Sequence, residues 1–295
     1  MKLLIYGSNG WIGKQFIDIL KNNNIEYVIG LERAENQINL EQEISNTNTN
    51  ITHVMSFIGR TYGSIGDKEY TTIDYLEQSG KLKENVRDNL YSPLTLALIC
   101  QKYNIHYTYL GTGCIFEYDE VHPFEKEVNG FTEEATPNFF GSSYSVVKGY
   151  TDRLMHLLPN VLNVRIRMPI TSCFSKRNFI TKITTYEKVC SVANSMTVLP
   201  ELLPLMLDMA KNGITGTVNL TNPGLITHNE ILEMYKEIVN PNFIWKNFTI
   251  EEQNNILAAG RSNNYLDTSR LEQLYPNVLN IKDSVRKCLE EMKNN

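Results

Sequence analysis

Apolar positions open the chain as a short run, residues 2–6, that stops at a glycine-rich turn, and they return from 11 to 21 at helical spacing through Ile12, Phe16, Ile19 and Leu20. This predicts strand, turn, helix. Residues 26–29 and 52–57 are further short apolar runs separated by polar, Asn-rich stretches, as in successive βα units of a parallel sheet. Residues 82–103 read as one long helix, 106–110 as a strand, 143–158 as a helix, and 161–167 as a strand closed by Pro169. Beyond Pro169 the pattern loosens into a helix near 202–211, a strand near 217–220 and a helix near 228–239. The expectation is an α/β protein. A Rossmann-type doubly wound parallel sheet occupies 1–165, and a smaller, partly discontinuous C-terminal α/β substrate domain occupies 166–295, with some segments returning to the sheet. Stretches 59–80 and 116–141 are long and turn-rich, and long loops in compact domains tend to carry function.

Composition narrows the class of ligand. With 295 residues, 42% of them hydrophobic, the chain can bury a full α/β core and still form a smaller covering domain. Its net charge is -5 with both signs interspersed, so it lacks the broad basic field that nucleic acid needs, and an anionic ligand must meet local Arg and Lys groups. The five cysteines are scattered without a C-x-x-C pair, which argues against a zinc site or disulfide framework and suits a reducing compartment. The opening apolar run is too short for a signal peptide or a membrane span. A cytoplasmic protein without metal, membrane or nucleic-acid partner is expected.

Gly7-Ser8-Asn9-Gly10-Trp11-Ile12-Gly13 follows the first strand and opens the first helix. In this G-x-x-G-x-x-G spacing Gly7 permits a tight turn, Gly10 leaves room for a pyrophosphate against the backbone, and Gly13 lets helix and strand pack closely. The first helical residues, Trp11 and Ile12 among them, then offer N–H groups and a positive dipole end to phosphates. A dinucleotide is the expected cofactor. About twenty residues on, where the ribose is read, Glu32 and Arg33 stand side by side: Glu32 suits the hydroxyls of NAD(H), Arg33 the 2′-phosphate of NADP(H).

Tyr144 and Lys148 lie four apart on one face of a predicted helix. A nearby ammonium lowers the pKa of a phenol, which then gives a proton to a carbonyl oxygen as hydride arrives. Thr112, at the end of the strand before, can hydrogen-bond the same oxygen, since ligands bind at the carboxyl ends of strands in open parallel sheets.

The order glycine turn, Thr112, Tyr144-x-x-x-Lys148 resembles the extended short-chain dehydrogenase/reductases. Runs TGCIFEYD at 112–119, PNF at 137–139, RIRMPI at 165–170, RNFITKI at 177–183, NSMT at 194–197, HNEILEMYK at 228–236 and RSNN at 261–264 look like the bifunctional nucleotide-rhamnose synthases (3,5-epimerase/4-reductase) of plants and giant viruses. The main departure is 56–83, where SFIGR replaces an Asn-Ala-Ala-Gly run and a longer, different loop follows. The resemblance implies 3,5-epimerisation of UDP-4-keto-6-deoxy-D-glucose and NADPH-dependent reduction at C4 to UDP-L-rhamnose, which favours Arg33 as the 2′-phosphate reader. It also likens Asn89 to the family's asparagine that holds backbone and water near the catalytic lysine.

On the substrate side, a UDP-sugar or dTDP-sugar brings a diphosphate for bidentate Arg, and Arg261, in a polar flexible stretch, is the first candidate. Arg167, Asn178 and Asn194 are further candidates for the pocket lining. C3 and C5 flank the C4 carbonyl, so loss of either proton gives an enolate that Thr112 and Tyr144 could stabilise. Epimerisation also needs an acid and a base. In an extended run Thr112 and Cys114 point to the same side, and Lys182 is the matching candidate across the ring, a pair the family is thought to use. Two rival functions are a simple 4-reductase on a nucleotide 4-keto-6-deoxy sugar and a non-catalytic dinucleotide-binding subunit that regulates a partner. A homodimer is compatible with all three.

Overall fold

The computed structural model describes residues 1–294. The chain divides into two compact units of three segments each: 1–112, 143–164 and 203–218 in the first, 113–142, 165–202 and 219–295 in the second. A division near 165 with some later segments returning to the sheet is the expectation; the two units interleave more than that. Residues 113–142 group with the second unit, and 203–218 return to the first.

The first unit is built on β1 (Leu3–Tyr6), α1 (Trp11–Asn22), β2 (Tyr27–Ile29), α2 (Gln37–Ser45), β3 (His53–Ser56), the hairpin β4 (Gly63–Ile65) and β5 (Lys68–Tyr70), α3 (Leu82–Val86), α4 (Ser92–Lys102), β6 (His106–Thr112) and α5 (Ser143–Met155). Its sheet is completed by β7 (Val161–Ile166) and, later in the chain, by β10 (Gly216–Asn219), in the order β10-β7-β6-β3-β1-β2. β1 pairs in parallel with both β2 and β3, and β3 with β6. All four residues of β1 are buried, the continuous apolar pattern of a strand covered on both faces. The order reverses direction at β1, so the switch point lies beyond the carboxyl ends of β1 and β3, where open α/β sheets bind ligands.

The expected long helix over 82–103 is interrupted by a π turn at Arg87–Tyr91. Pro93 accounts for it. Proline has no N–H to give the carbonyl four residues back, that of Asn89. The Thr151 hydroxyl on α5 donates to that carbonyl instead, at 2.7 Å, and the Ser92 hydroxyl donates to the Arg87 carbonyl at 2.8 Å. α2 occupies one of the polar stretches in which no element was expected; its apolar Leu40 and Ile44 enter the core at helical spacing, and the Asn36 side chain accepts from the Asn39 N–H at its start. The 59–80 stretch contains the β4–β5 hairpin.

The second unit contains the pair β8 (Pro169–Ile170) and β9 (Thr197–Val198), with α6 (Phe179–Thr185), α8 (His228–Ile238), α9 (Ile250–Ile256), α10 (Ser269–Leu274) and α11 (Ile281–Asn294); α7 (Leu199–Lys211) runs on into the first unit. Ile170, Ile180, Met196, Ile226, Leu232 and Leu289 are among its core residues. A smaller cluster of Ile115, Phe116, Phe131 and Leu266 gathers the 113–142 segment. Among the described residues no helix is long and apolar enough to cross a membrane, and no group of three His, Cys, Asp or Glu could hold a metal ion.

Candidate functional site

The glycine turn has the shape a dinucleotide needs. Gly7 has φ +73°, and a Cβ there would lie 2.6 Å from the Phe57 carbonyl carbon; one at Gly13 would lie 2.3 Å from the Gly7 oxygen. A Cβ at Gly10 would meet only the Gly7 oxygen, at 3.2 Å. Gly7 and Gly13 are thus fixed by the protein's own backbone, whereas Gly10 keeps open the space in front of the helix. Gly10 is also the N-cap of α1 and supplies no side-chain cap, so the leading N–H groups of Trp11, Ile12 and Gly13 remain for phosphate oxygens.

Beyond β2, Arg33 is exposed and Glu32 half-buried. Glu43 on α2 organises this corner, a residue the sequence did not flag: its carboxylate accepts from the Leu31 N–H at 2.9 Å, the Glu32 N–H at 3.2 Å and the Tyr6 hydroxyl at 2.6 Å.

Thr112 ends β6, and Tyr144 and Lys148 occupy the first turns of α5; all three are buried. The Lys148 ammonium donates to the Leu110 carbonyl at 3.3 Å and to the Tyr109 hydroxyl, and sits 4.4 Å from the centre of the Tyr109 ring. Tyr109 is a second residue that spacing alone does not reveal. Its burial, with Tyr144, Tyr107 and Asp152 nearby, pushes its phenol well above the ordinary range, so it stays neutral as an acceptor for Lys148.

Asn89 holds backbone, that of Arg60. Its Oδ1 accepts from the Arg60 N–H at 2.9 Å, and its Nδ2 donates to the Arg60 carbonyl and to Asn85 Oδ1, both at 2.9 Å. That uses both amide protons on the protein, so the side chain clamps the turn after β3 and has no donor left for a cofactor.

In the second unit Cys114 lies in a turn, because the strand ends at Thr112. The alternation expected to aim Thr112 and Cys114 to one side therefore does not apply. Lys182 sits in the first turns of α6, half-buried, and burial together with the charges of Arg177 and Arg261 lowers its ammonium to about 8. Arg261 donates to the Ala259 carbonyl at 2.7 Å and is half-buried. Arg177 joins these two as a third cation, and its place in the RNFITKI run was the available signal.

Arg167, Asn178 and Asn194 are corrected from pocket lining to framework, all three being essentially inaccessible. The Arg167 guanidinium donates to Asn194 Oδ1 and to the Ser262 carbonyl, each at 2.9 Å. Asn178 accepts from the Thr171 and Ile180 N–H groups and donates to the Thr171 and Cys173 carbonyls, so every hydrogen-bonding position of its amide is filled. Asn194 accepts from Arg167 and the Asn264 N–H and donates to the Val192 carbonyl and Asn263 Oδ1.

No protein-family model matches the chain. It is 55% identical over 294 residues to the uncharacterized protein L780 of Acanthamoeba polyphaga mimivirus, covering 99% of both chains. The crystal structure of the L780 UDP-rhamnose synthase from that virus has a TM-score of 0.92 at 54% identity, over 99% of each chain. The chain belongs to the UDP-rhamnose synthase family. A bifunctional dTDP-4-dehydrorhamnose 3,5-epimerase/dTDP-4-dehydrorhamnose reductase of Arabidopsis thaliana is 43% identical over 289 residues, 98% of this chain and 92% of that one. At 15% identity, the dTDP-4-dehydrorhamnose reductase of Bacillus anthracis in complex with NADP has a TM-score of 0.74 over 98% of each chain, a likeness of fold alone. The mostly parallel sheet of the UDP-rhamnose synthase family member described here is the Rossmann-type α/β architecture expected from its sequence.

Proposed function

We propose that the protein converts UDP-4-keto-6-deoxy-D-glucose to UDP-L-rhamnose by 3,5-epimerisation and NADPH-dependent reduction at C4. The observation that carries this reading is the placement of Tyr144 and Lys148 on α5, with the Lys148 ammonium held against the strand that ends in Thr112. The match to the L780 UDP-rhamnose synthase over nearly the whole chain supports the substrate class. The glycine turn fits a nicotinamide dinucleotide, with Gly7, Gly10 and Gly13 shaping the cradle, the N–H groups of α1 facing its phosphates and exposed Arg33 reading the 2′-phosphate. Such a cofactor supplies the hydride for C4.

In this reading Tyr144 gives its proton to the C4 oxygen and Lys148 favours the phenolate left behind. Thr112 donates a hydrogen bond to the same oxygen, which also steadies the enolate formed when C3 or C5 loses its proton. Cys114 and Lys182 act as the acid and base of epimerisation. An amine titrating near 8 holds a usable share of both its forms close to neutrality. Arg261 and Arg177 neutralise the diphosphate.

The test is incubation with UDP-4-keto-6-deoxyglucose and dTDP-4-keto-6-deoxyglucose, each with NADPH, the product stereochemistry being read by NMR. The expected product is the L-rhamnose derivative, formed faster from the UDP sugar. A product reduced at C4 but not inverted at C3 and C5 would leave a simple reductase, and no turnover with either sugar would end the enzymatic reading.

A further inference from the structure

Residues 60–77, within the 56–83 stretch whose sequence departs from the family pattern, are fastened at both ends to the helix that carries Tyr144 and Lys148. At its start, the Arg60 N–H and carbonyl are both bound by the Asn89 amide at 2.9 Å. From Asn89 a hydrogen bond of 2.9 Å passes to Asn85 Oδ1, and Asn85 Nδ2 donates to the Ser143 hydroxyl at 3.2 Å. At its end, Glu77 Oε1 accepts from both the Ser143 N–H and the Ser143 hydroxyl at 2.8 Å. Ser143 is the first residue of α5 and immediately precedes Tyr144. The segment is further supported within itself and from α3. Tyr75 is buried, its hydroxyl donates to Glu84 at 2.7 Å, and its ring lies so close to Gly63 that a Cβ there would stand 2.4 Å away.

We infer that Glu77 is a positioning residue for the reduction: its carboxylate anchors the first turn of α5 and so fixes where the Tyr144 phenol stands. The inference rests on the reductase reading above. The first N–H groups of a helix have no partner within it, and a carboxylate there satisfies them while meeting the positive end of the dipole. Here the anchor comes from 66 residues away and engages the residue next to the proton donor. Misplacement of a reacting group by about 1 Å can cost on the order of 100-fold in rate.

The test compares Glu77→Ala, Glu77→Gln and, as a control on the same segment, Asp67→Ala at the exposed hairpin tip. Expected in Glu77→Ala are a fall in kcat of about 10- to 100-fold, NADPH affinity within about twofold of the unmodified protein, a displaced basic limb of the pH–kcat profile and faster amide hydrogen exchange at Ser143. Glu77→Gln keeps an acceptor and restores most of kcat; Asp67→Ala changes nothing. Unchanged kcat and pH profile in Glu77→Ala would overturn the inference, as would a loss that merely follows NADPH affinity. Lack of reduction by the unmodified protein would overturn the functional reading and the catalytic part of this one, while the exchange at Ser143 would still report on the anchor.

Discussion

The two units hold their candidate residues in different ways. In the first, Thr112, Tyr144 and Lys148 stand on a regular strand and a regular helix, and the polar groups around them come from neighbouring elements. In the second, Cys114 and Arg261 lie in irregular segments and Lys182 on a seven-residue helix, and the conspicuous polar residues, Arg167, Asn178 and Asn194, bind the loops to one another. Regular elements set a side chain's direction by backbone geometry and need anchoring only at their ends, as by Glu77; irregular ones need buried amides and a guanidinium to fix the backbone throughout. A buried polar residue in the second unit therefore reports on architecture, whereas Arg177, Lys182 and Arg261 stay half-buried beside one another.

The comparison can be broken most directly at Tyr144. Tyr144→Phe should lower kcat for reduction about 1,000-fold or more with NADPH affinity retained, by fluorescence titration of the cofactor. Retained turnover would remove the first unit's claim to the proton transfer.

Asn178→Ala should act in the opposite way, with stability falling by about 2–4 kcal/mol because the Thr171 and Ile180 N–H groups and two carbonyls lose partners where water does not reach. Urea unfolding measures it. A variant of normal stability with a raised KM would return Asn178 to the ligand pocket.

Lys182 sharpens the contrast by pH. Its folded pKa of about 8 lies below the ordinary 10.5, so the neutral amine gains population as pH climbs through 8. Deuterium exchange into C3 and C5 of the keto-sugar without NADPH should show an ionisation near 8 and a change of about tenfold between pH 7 and 9, lost in Lys182→Met. Exchange flat across this range would take Lys182 out of the acid–base pair.

The smallest effect belongs to the amino ends of β3 and β6, where the His53 and His106 rings lie 5.2 Å apart. Burial, followed by the charge of His106, lowers His53 to about 4 from 6.5. Between those values the unfolded chain binds a proton on His53 that the folded chain does not, so stability falls as pH drops from 6.5 toward 4 and is unaffected above 6.5. With solvent screening the loss is on the order of 1 kcal/mol, seen as the difference in pH dependence between the unmodified protein and His53→Phe. Parallel curves would show that the pair carries no such penalty.

Much of the first unit was legible because its signals are local. Gly7, Gly10 and Gly13 answer to one turn, Tyr144 and Lys148 to one helical repeat, and the continuous apolar runs to strands covered on both faces. What escaped was long-range. Glu43, Tyr109 and Glu77 act on partners that no spacing rule connects with them, and the filled amides of Asn89, Asn178 and Asn194 can be recognised only when all their neighbours are known. Two misses did have a local sign. Pro93 inside a predicted helix marked the π turn, and Gly113 beside Cys114 marked a chain leaving extended conformation.

That π turn also sets an angular phase. One surplus residue in a helix rotates everything before it relative to everything after it by about 100°. α3 and α4 are thereby out of step, and it is this offset that turns Asn85 toward Ser143 while Leu96 and Cys100 face the core. A chain shortened by one residue within 87–91 should still form helix across the gap, with unchanged helical content by circular dichroism, yet swing Asn85 off Ser143 and, on the proposed function, lose activity. The irregularity works as a gear tooth: removing it leaves both shafts straight and the timing between them wrong.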